Sequence, residues 1–311
     1  MSKNIKEIDL VIIGAGPAGL AAAIYAARAK LNLIVLEDAL VGGQVRTTST
    51  VENYPGFKSI TGNELCDRMQ EQAIELGAVI DEFDNIISVT LKDDEKIVET
   101  ESLIYKPKAV IIATGASPKK LPVPEEEIYA SKGMHYCAVC DGALYGGKKI
   151  AVVGGGNTAL EEALFLSKFG KVTMIRRHDY FNGEKYVLDK VLKNDNIEIL
   201  WNEDIKHVKG NGKVESVIIE NTKTREIKEI QMDCIFVSIG ITPKSSLFKE
   251  YIKLSNIGNI ITDENMQTNV KGVYAAGDVR EKVFRQITTA VNDGTVAALT
   301  AEKYIDEQKG R

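Results

Sequence analysis

Histidine is scarce in this chain. Only His135, His178 and His207 occur in 311 residues, and they show no catalytic spacing. No apolar run approaches the ~20 residues that a membrane-spanning helix needs. Basic residues do not outnumber acidic ones: 39 Lys and Arg stand against 44 Asp and Glu, a formal net charge of −5. That balance gives no footprint for nucleic acid, and the acidity serves solubility. The opening Met1-Ser2-Lys3-Asn4-Ile5-Lys6 lacks an apolar signal core, so a cytoplasmic protein is expected. The four cysteines do not make the framework of a small secreted domain. Cys66 and Cys234 are isolated and read as small buried apolar residues. Low-complexity sequence is absent. What remains is an ordinary globular composition, 44% hydrophobic and 27% charged, with length enough for two cores.

Against that background one stretch stands out: Cys137-Ala138-Val139-Cys140-Asp141-Gly142. Two thiols at this spacing, in a chain expected inside the cell, read as a dithiol–disulfide couple. A carboxyl directly after the second thiol is placed to move the proton that thiolate chemistry gains or loses. Zinc would need two more ligands, which Cys66 and Cys234 are too remote to give and His135 too close in sequence to give easily. No metal is expected.

Two strand–turn–helix–strand units flank the pair. Ile8–Ile13 is an apolar strand of the kind buried in a parallel sheet. Gly14-Ala15-Gly16-Pro17-Ala18-Gly19 follows, then an Ala-rich helix and a second strand ending at Glu37. In such a turn Gly14 permits the tight bend, Gly16 lets backbone approach a pyrophosphate and Gly19 lets the helix pack on the strand. The helix N-terminus faces the phosphates, and Glu37 is placed for a ribose diol. The plan returns in Lys149–Val153, the turn Gly154-Gly155-Gly156, a helix over 158–169 and a strand over 171–175. Here Arg176-Arg177-His178 stands where the ribose acid would be, and cations there suit a 2′-phosphate.

Other strands run into glycine at Ala113-Thr114-Gly115-Ala116, Ser238-Ile239-Gly240 and Ala276-Gly277-Asp278. Ser117-Pro118 and Thr242-Pro243 mark the crossings between domains, and the polar run Asn221–Lys228 reads as a hairpin turn. The fold expected is α/β: two Rossmann-like three-layer nucleotide-binding domains, the second inserted into the first. The expected bounds are 1–117 with 244–311 for one domain and 118–243 for the other.

Together these pieces resemble the low-molecular-weight thioredoxin reductases over nearly the whole chain. The matching stretches are Gly14–Gly19, Gly42-Gly43-Gln44, Glu52-Asn53-Tyr54-Pro55-Gly56, Ala113–Ala116, Cys137–Gly142, Gly154–Ala159, Ala276-Gly277-Asp278-Val279 and Arg285-Gln286. The resemblance implies FAD in the discontinuous domain, a reduced nicotinamide in the inserted one, a homodimer, and thioredoxin or a thioredoxin-like protein as partner. By position Gly14, Gly16 and Gly19 would hold the FAD pyrophosphate and Glu37 its adenosine ribose. Gln44, Asn53, Gly115, Gly277, Asp278, Arg285 and Gln286 would line the flavin region. Gly154, Gly156, Asn157, Thr158 and Ala159 would meet the nicotinamide cofactor, with Arg176 and Arg177 at its 2′-phosphate. Cys140 would be the thiol nearer the flavin, Cys137 the one that attacks the partner, and Asp141 the acid. The inserted domain of such enzymes swings between two arrangements.

One part of the pattern departs. The family's 2′-phosphate signature is His-Arg-Arg, three variable residues, then Arg; this chain has Arg176, Arg177, His178 and then Asn182. Each lost charge-assisted hydrogen bond weakens phosphate binding by roughly 1.5–3 kcal/mol, less where solvent screens it. NADPH remains the first expectation, with NADH and a non-nicotinamide donor such as ferredoxin as alternatives. A flavin dithiol oxidase that passes electrons to oxygen would share the FAD domain and the cysteine pair without needing Arg176 and Arg177. A non-enzymatic flavin sensor would show no turnover with any thioredoxin.

Overall fold

The computed structural model describes residues 3–48 and 50–310; Met1, Ser2, Ser49 and Arg311 lie outside the described residues, so the first two positions of the opening read above are not placed. The chain divides into two compact units. One runs to Ser117 and resumes at Thr242, and the other spans Pro118–Ile241. Both are α/β folds of Rossmann type, built on mainly parallel sheets.

In the first unit the sheet runs in space through Val79–Glu82, Leu33–Glu37, Asn4–Ile13, Leu103–Ile112, Lys96–Thr100 and Ile86–Leu91, with Val273–Ala275 also paired to Leu103–Ile112. The central pairs are parallel and the Ile86–Thr100 flank is antiparallel. Alternation along Asn4–Ile13 explains why its buried end, Leu10–Ile13, is apolar on both faces. Leu10 and Ile12 enter a core shared with the helices Pro17–Arg28 and Ile287–Gln308, while Val11 and Ile13 enter a core on the opposite face. The two helices approach closely because Gly294 has no side chain: a Cβ there would stand 2.0 Å from Ala18 O.

The second unit repeats the scheme. Its sheet orders Ile197–Trp201, Lys171–Arg176, Lys149–Gly154, Cys234–Ser238 and Met134–His135, all parallel. Ile150 and Val152 pack under the helix Asn157–Leu166; Ala151 and Val153 pack against an antiparallel layer of Glu203–Lys209, Ser216–Asn221 and Ile227–Gln231. The polar run from Asn221 is the turn of that layer's second hairpin. Among the described residues no helix is long and apolar enough to cross a membrane.

Candidate functional site

In the first unit the glycines have different physical jobs. Gly14 sits at φ +103°, and a Cβ on it would meet Ala113 O at 2.5 Å; a Cβ on Gly19 would meet Gly14 O at 1.8 Å. These two close the turn onto the sheet. Gly16, by contrast, has nothing within 4 Å of a Cβ position, and as N-cap of the Pro17–Arg28 helix it makes no side-chain capping bond. The turn therefore presents open backbone at a helix N-terminus, the arrangement that receives a phosphate. Glu37 accepts the Ala15 N–H at 2.7 Å and the Ala39 N–H at 3.2 Å. Burial pushes its carboxyl above the ordinary value.

The other flavin-region residues of this unit cluster at chain crossings. Gln44, on the short helix Gly43–Thr47, donates its amide to Ala116 O. Asn53 donates to Gln286 Oε1 at 3.2 Å. Gly115 turns at φ +70°, and its carbonyl accepts the Lys244 N–H at 3.0 Å. The Gly277 N–H goes to Asp293, which also pairs with Arg280 and Lys282. Two atoms of this region are buried without a hydrogen-bond partner: Asp278 Oδ1 and Arg285 Nε. Burial raises the Asp278 carboxyl. An acceptor and a donor left unsatisfied on neighbouring segments call for a polar ligand, and with the open Gly16 turn they fit FAD. Cys66 is buried behind Gly42, its Sγ 3.6 Å from Gly42 O, and burial pushes the thiol up to about 11. It is not a reactive thiol.

In the second unit the equivalent turn is built alike but surrounded differently. Gly154 is pressed against Ser238 O and the small Ala159, and Gly156 has open space at its Cβ position. Thr158 is exposed on the first turn of the helix. Over Gly155, however, lies the Arg176 guanidinium, with Cζ 2.3 Å from where a Cβ would be. Arg176 is only 8% exposed. Its Nε donates to Tyr180 O at 2.9 Å, its plane lies near the rings of Tyr180 and Phe181, and Nη2 has no partner. Asn182 N–H bonds Gly155 O at 2.8 Å. The Asn157 side chain bonds both the Glu184 N–H and, at 3.2 Å, the Glu184 carboxylate. A carboxylate thus stands beside the helix N-terminus, where a phosphate's charge would be favoured. Of the two arginines expected at a 2′-phosphate, only Arg177 is exposed. The Arg176 guanidinium lies over Gly155 and the Glu184 carboxylate borders the helix N-terminus, while Gly156 stays open.

Cys137 and Cys140 are joined as a disulfide, with Cα atoms 5.3 Å apart. Cys137 is the N-cap of the short helix Ala138–Asp141, and its Sγ accepts the Cys140 N–H at 3.2 Å. Cys137 is half-buried and Cys140 exposed. Sequence reasoning missed three groups around the pair. His135 Nδ1 lies 3.1 Å from Asp141 Oδ2, and its Nε2 lies 2.7 Å from the Tyr145 hydroxyl. Glu162, on the helix Asn157–Leu166, accepts the Ala138 N–H and the Ser238 hydroxyl, and burial raises its carboxyl. One signal for His135 was available: it lies two residues before Cys137, on a residue pair that registers with Ile235 and Phe236. Cys234 is buried, and burial drives its thiol far up.

Comparison with known proteins identifies a family and relatives. The sequence profile of a family described as pyridine nucleotide-disulphide oxidoreductase matches residues 8–294. A Clostridium pasteurianum protein, described as a 34.2 kDa protein in the rubredoxin operon, is 56% identical over 97% of this chain and 99% of its own length. A thioredoxin reductase of Peptoclostridium acidaminophilum is 47% identical over 96% of this chain and 97% of its own. The crystal structure of thioredoxin reductase from Streptococcus pyogenes is 40% identical and superposes with a TM-score of 0.92, covering 97% of this chain and 99% of that one.

Proposed function

We propose the following reaction for this chain, which belongs to the pyridine nucleotide-disulphide oxidoreductase family: electrons pass from a reduced nicotinamide, NADPH foremost, by way of FAD and the Cys137–Cys140 pair to the disulfide of a thioredoxin or thioredoxin-like protein. The observation that carries it is the Cys137–Cys140 disulfide, directly followed by an acid that is only part-exposed and lies 3.1 Å from His135 Nδ1. FAD, held by Gly14, Gly16, Gly19, Glu37, Asp278 and Arg285 and lined by Gln44, Asn53, Gly115, Gly277 and Gln286, supplies two-electron chemistry when bound. The chain's own residues do the exchange. In the reduced pair the Cys137 thiolate attacks one sulfur of the partner disulfide. An S–S bond forms between the proteins, the partner's S–S bond breaks, and the leaving thiolate takes a proton. The Cys140 thiolate then attacks Cys137 Sγ, releasing the second partner sulfur, which is protonated in turn. Two electrons and two protons have moved to the partner, and Asp141 is the acid that handles the proton. The buried free thiols Cys66 and Cys234 suit a reducing cytoplasm, and the family resemblance supports a homodimer.

Cys140→Ser and Cys137→Ser each reduce thioredoxin turnover to background, and Cys137→Ser still allows flavin reduction by the donor. Turnover surviving Cys140→Ser would end this reading.

A second reading concerns the donor alone. The covered turn at Gly155 favours one that does not dock there, such as ferredoxin. Anaerobic mixing with NADPH, NADH and reduced ferredoxin in parallel decides it. Bleaching of the flavin by NADPH supports the first reading, and bleaching by ferredoxin alone replaces it with the second.

A further inference from the structure

His135 is one of three histidines, and nothing in the reaction above assigns it a task. It is 7% exposed, and its ring stacks on Phe236 with centroids 5.3 Å apart. Both ring nitrogens are engaged: Nδ1 with Asp141 Oδ2 at 3.1 Å, Nε2 with Tyr145 OH at 2.7 Å. The partners fix the tautomer. Burial pushes the Tyr145 phenol up to about 12, so it keeps its proton at neutral pH. The Asp141 carboxylate can only accept, so a bond across the 3.1 Å contact needs the ring proton on Nδ1, which leaves Nε2 to accept from the Tyr145 hydroxyl. Asp233 and the Cys234 thiol also face Tyr145, and the Cys234 thiol stays protonated because burial raises it so far. Phe236 brings no charge to the ring's other side.

We propose that His135 is a positioning residue for the acid of the dithiol: its Nδ1–H holds one Asp141 oxygen, so that the other is left for the proton moved in thiol–disulfide exchange, and Tyr145 holds the imidazole in the required tautomer. This rests on the assignment of Cys137 and Cys140 as the reacting pair. The step it serves is balanced. A thiol proton of the reduced pair passes to the free carboxylate oxygen as the S–S bond to the partner forms, and it returns to the partner thiolate as the partner's own S–S bond breaks. His135 keeps its Nδ1 proton throughout. A carboxylate without this donor rotates freely, and misplacement of a proton-transfer group by an ångström costs between about ten- and a hundredfold in rate.

The test separates the donor bond from packing. Phe at 135 keeps a flat ring against Phe236 without any N–H; Asn places an amide N–H near the position of Nδ1. Holoenzyme is reduced with excess dithiothreitol, desalted under anaerobic conditions, and mixed with oxidised thioredoxin. The thiols are trapped by acid and labelled at intervals, across a range of pH. His135→Phe slows transfer about tenfold or more and changes its dependence on pH. His135→Asn recovers most of the rate and the wild-type pH profile. Tyr145→Phe, which frees the tautomer but keeps the Nδ1 donor available, gives a smaller loss. Equal slowing in the Phe and Asn variants would mean that the ring acts by packing alone and would overturn the proposal. So would wild-type rate and profile in His135→Phe. Neither result touches the reductase reading, which stands or falls with Cys137→Ser and Cys140→Ser.

Discussion

The two Gly-x-Gly turns follow the same backbone path and end in opposite situations. In each unit the residue ending the second strand reaches back to the middle residue of the turn. In the first unit that residue is Glu37, an acceptor, and it takes the Ala15 N–H. In the second it is Arg176, which can only donate. It folds over Gly155, bonds Tyr180 O and leaves Nη2 unsatisfied. The glycines therefore dictate the geometry of a turn, and the strand-end residue dictates what lies against its middle residue.

Matched substitutions sharpen this contrast. Gly16 and Gly156 both have extended backbone, at φ −71° and −97°, and neither has any atom within 4 Å of a Cβ position. A side chain added at either site finds open space at its Cβ, the space a ligand would use. Gly16→Val lowers FAD affinity by roughly a hundredfold, about 2.7 kcal/mol, measured by flavin retention on dilution, with the melting behaviour of the flavin-stripped protein unchanged. Gly156→Val raises the Michaelis constant for NADPH by about tenfold, less than its counterpart because the surrounding groups already restrict that turn. An unchanged constant with an active enzyme would move the donor to another surface.

Uncovering the second turn gives a smaller effect. Arg176→Met keeps a long apolar stem against Tyr180 and Phe181 and removes the guanidinium over Gly155. The affinity for NADH rises about threefold, and titration of the flavin-stripped protein with NADH measures it. The last change is in stability. Because burial raises the Asp278 carboxyl, the folded flavin-free chain holds that proton more tightly than the unfolded chain. The contribution is greatest below about pH 4, falls as pH rises through the interval up to the raised folded value, and stays low above it. Asp278→Asn removes this loss. It stabilises the flavin-free protein at neutral pH by about 1 kcal/mol, as denaturant melts at pH 4 and pH 7 will show, while it weakens FAD retention.

Much of this was legible in the chain itself. The apolar run Ile8–Ile13 lies in a central strand, the glycine turns close onto their sheets and Cys137 and Cys140 are joined, all readable because periodicity and turn chemistry are local. The burial of Arg176 was legible too, by a rule not applied to it. Val172 and Met174 point into the core under the helix Asn157–Leu166, and Arg176 continues the same alternation. Read as part of a basic run, it looked like a solvent-facing cation. His135 escaped for another reason. Its partners Asp141 and Tyr145 are near in sequence, but what buries it is Phe236, a hundred residues on and brought alongside by strand register. The bond from Glu162 to Ala138 is likewise a product of packing between elements.

That bond gives the helix Asn157–Leu166 a second duty. Its first residue borders the nucleotide turn, Glu162 takes the Ala138 amide, and Leu166 leaves no room for a side chain on Gly142, where a Cβ would stand 2.7 Å from Leu166 Cδ2. One helix therefore anchors both ends of the redox loop. In hydrogen-exchange terms the Ala138 amide is released when that helix opens, so the loop and the helix behave as a single cooperative unit rather than as a mobile arm on a rigid frame.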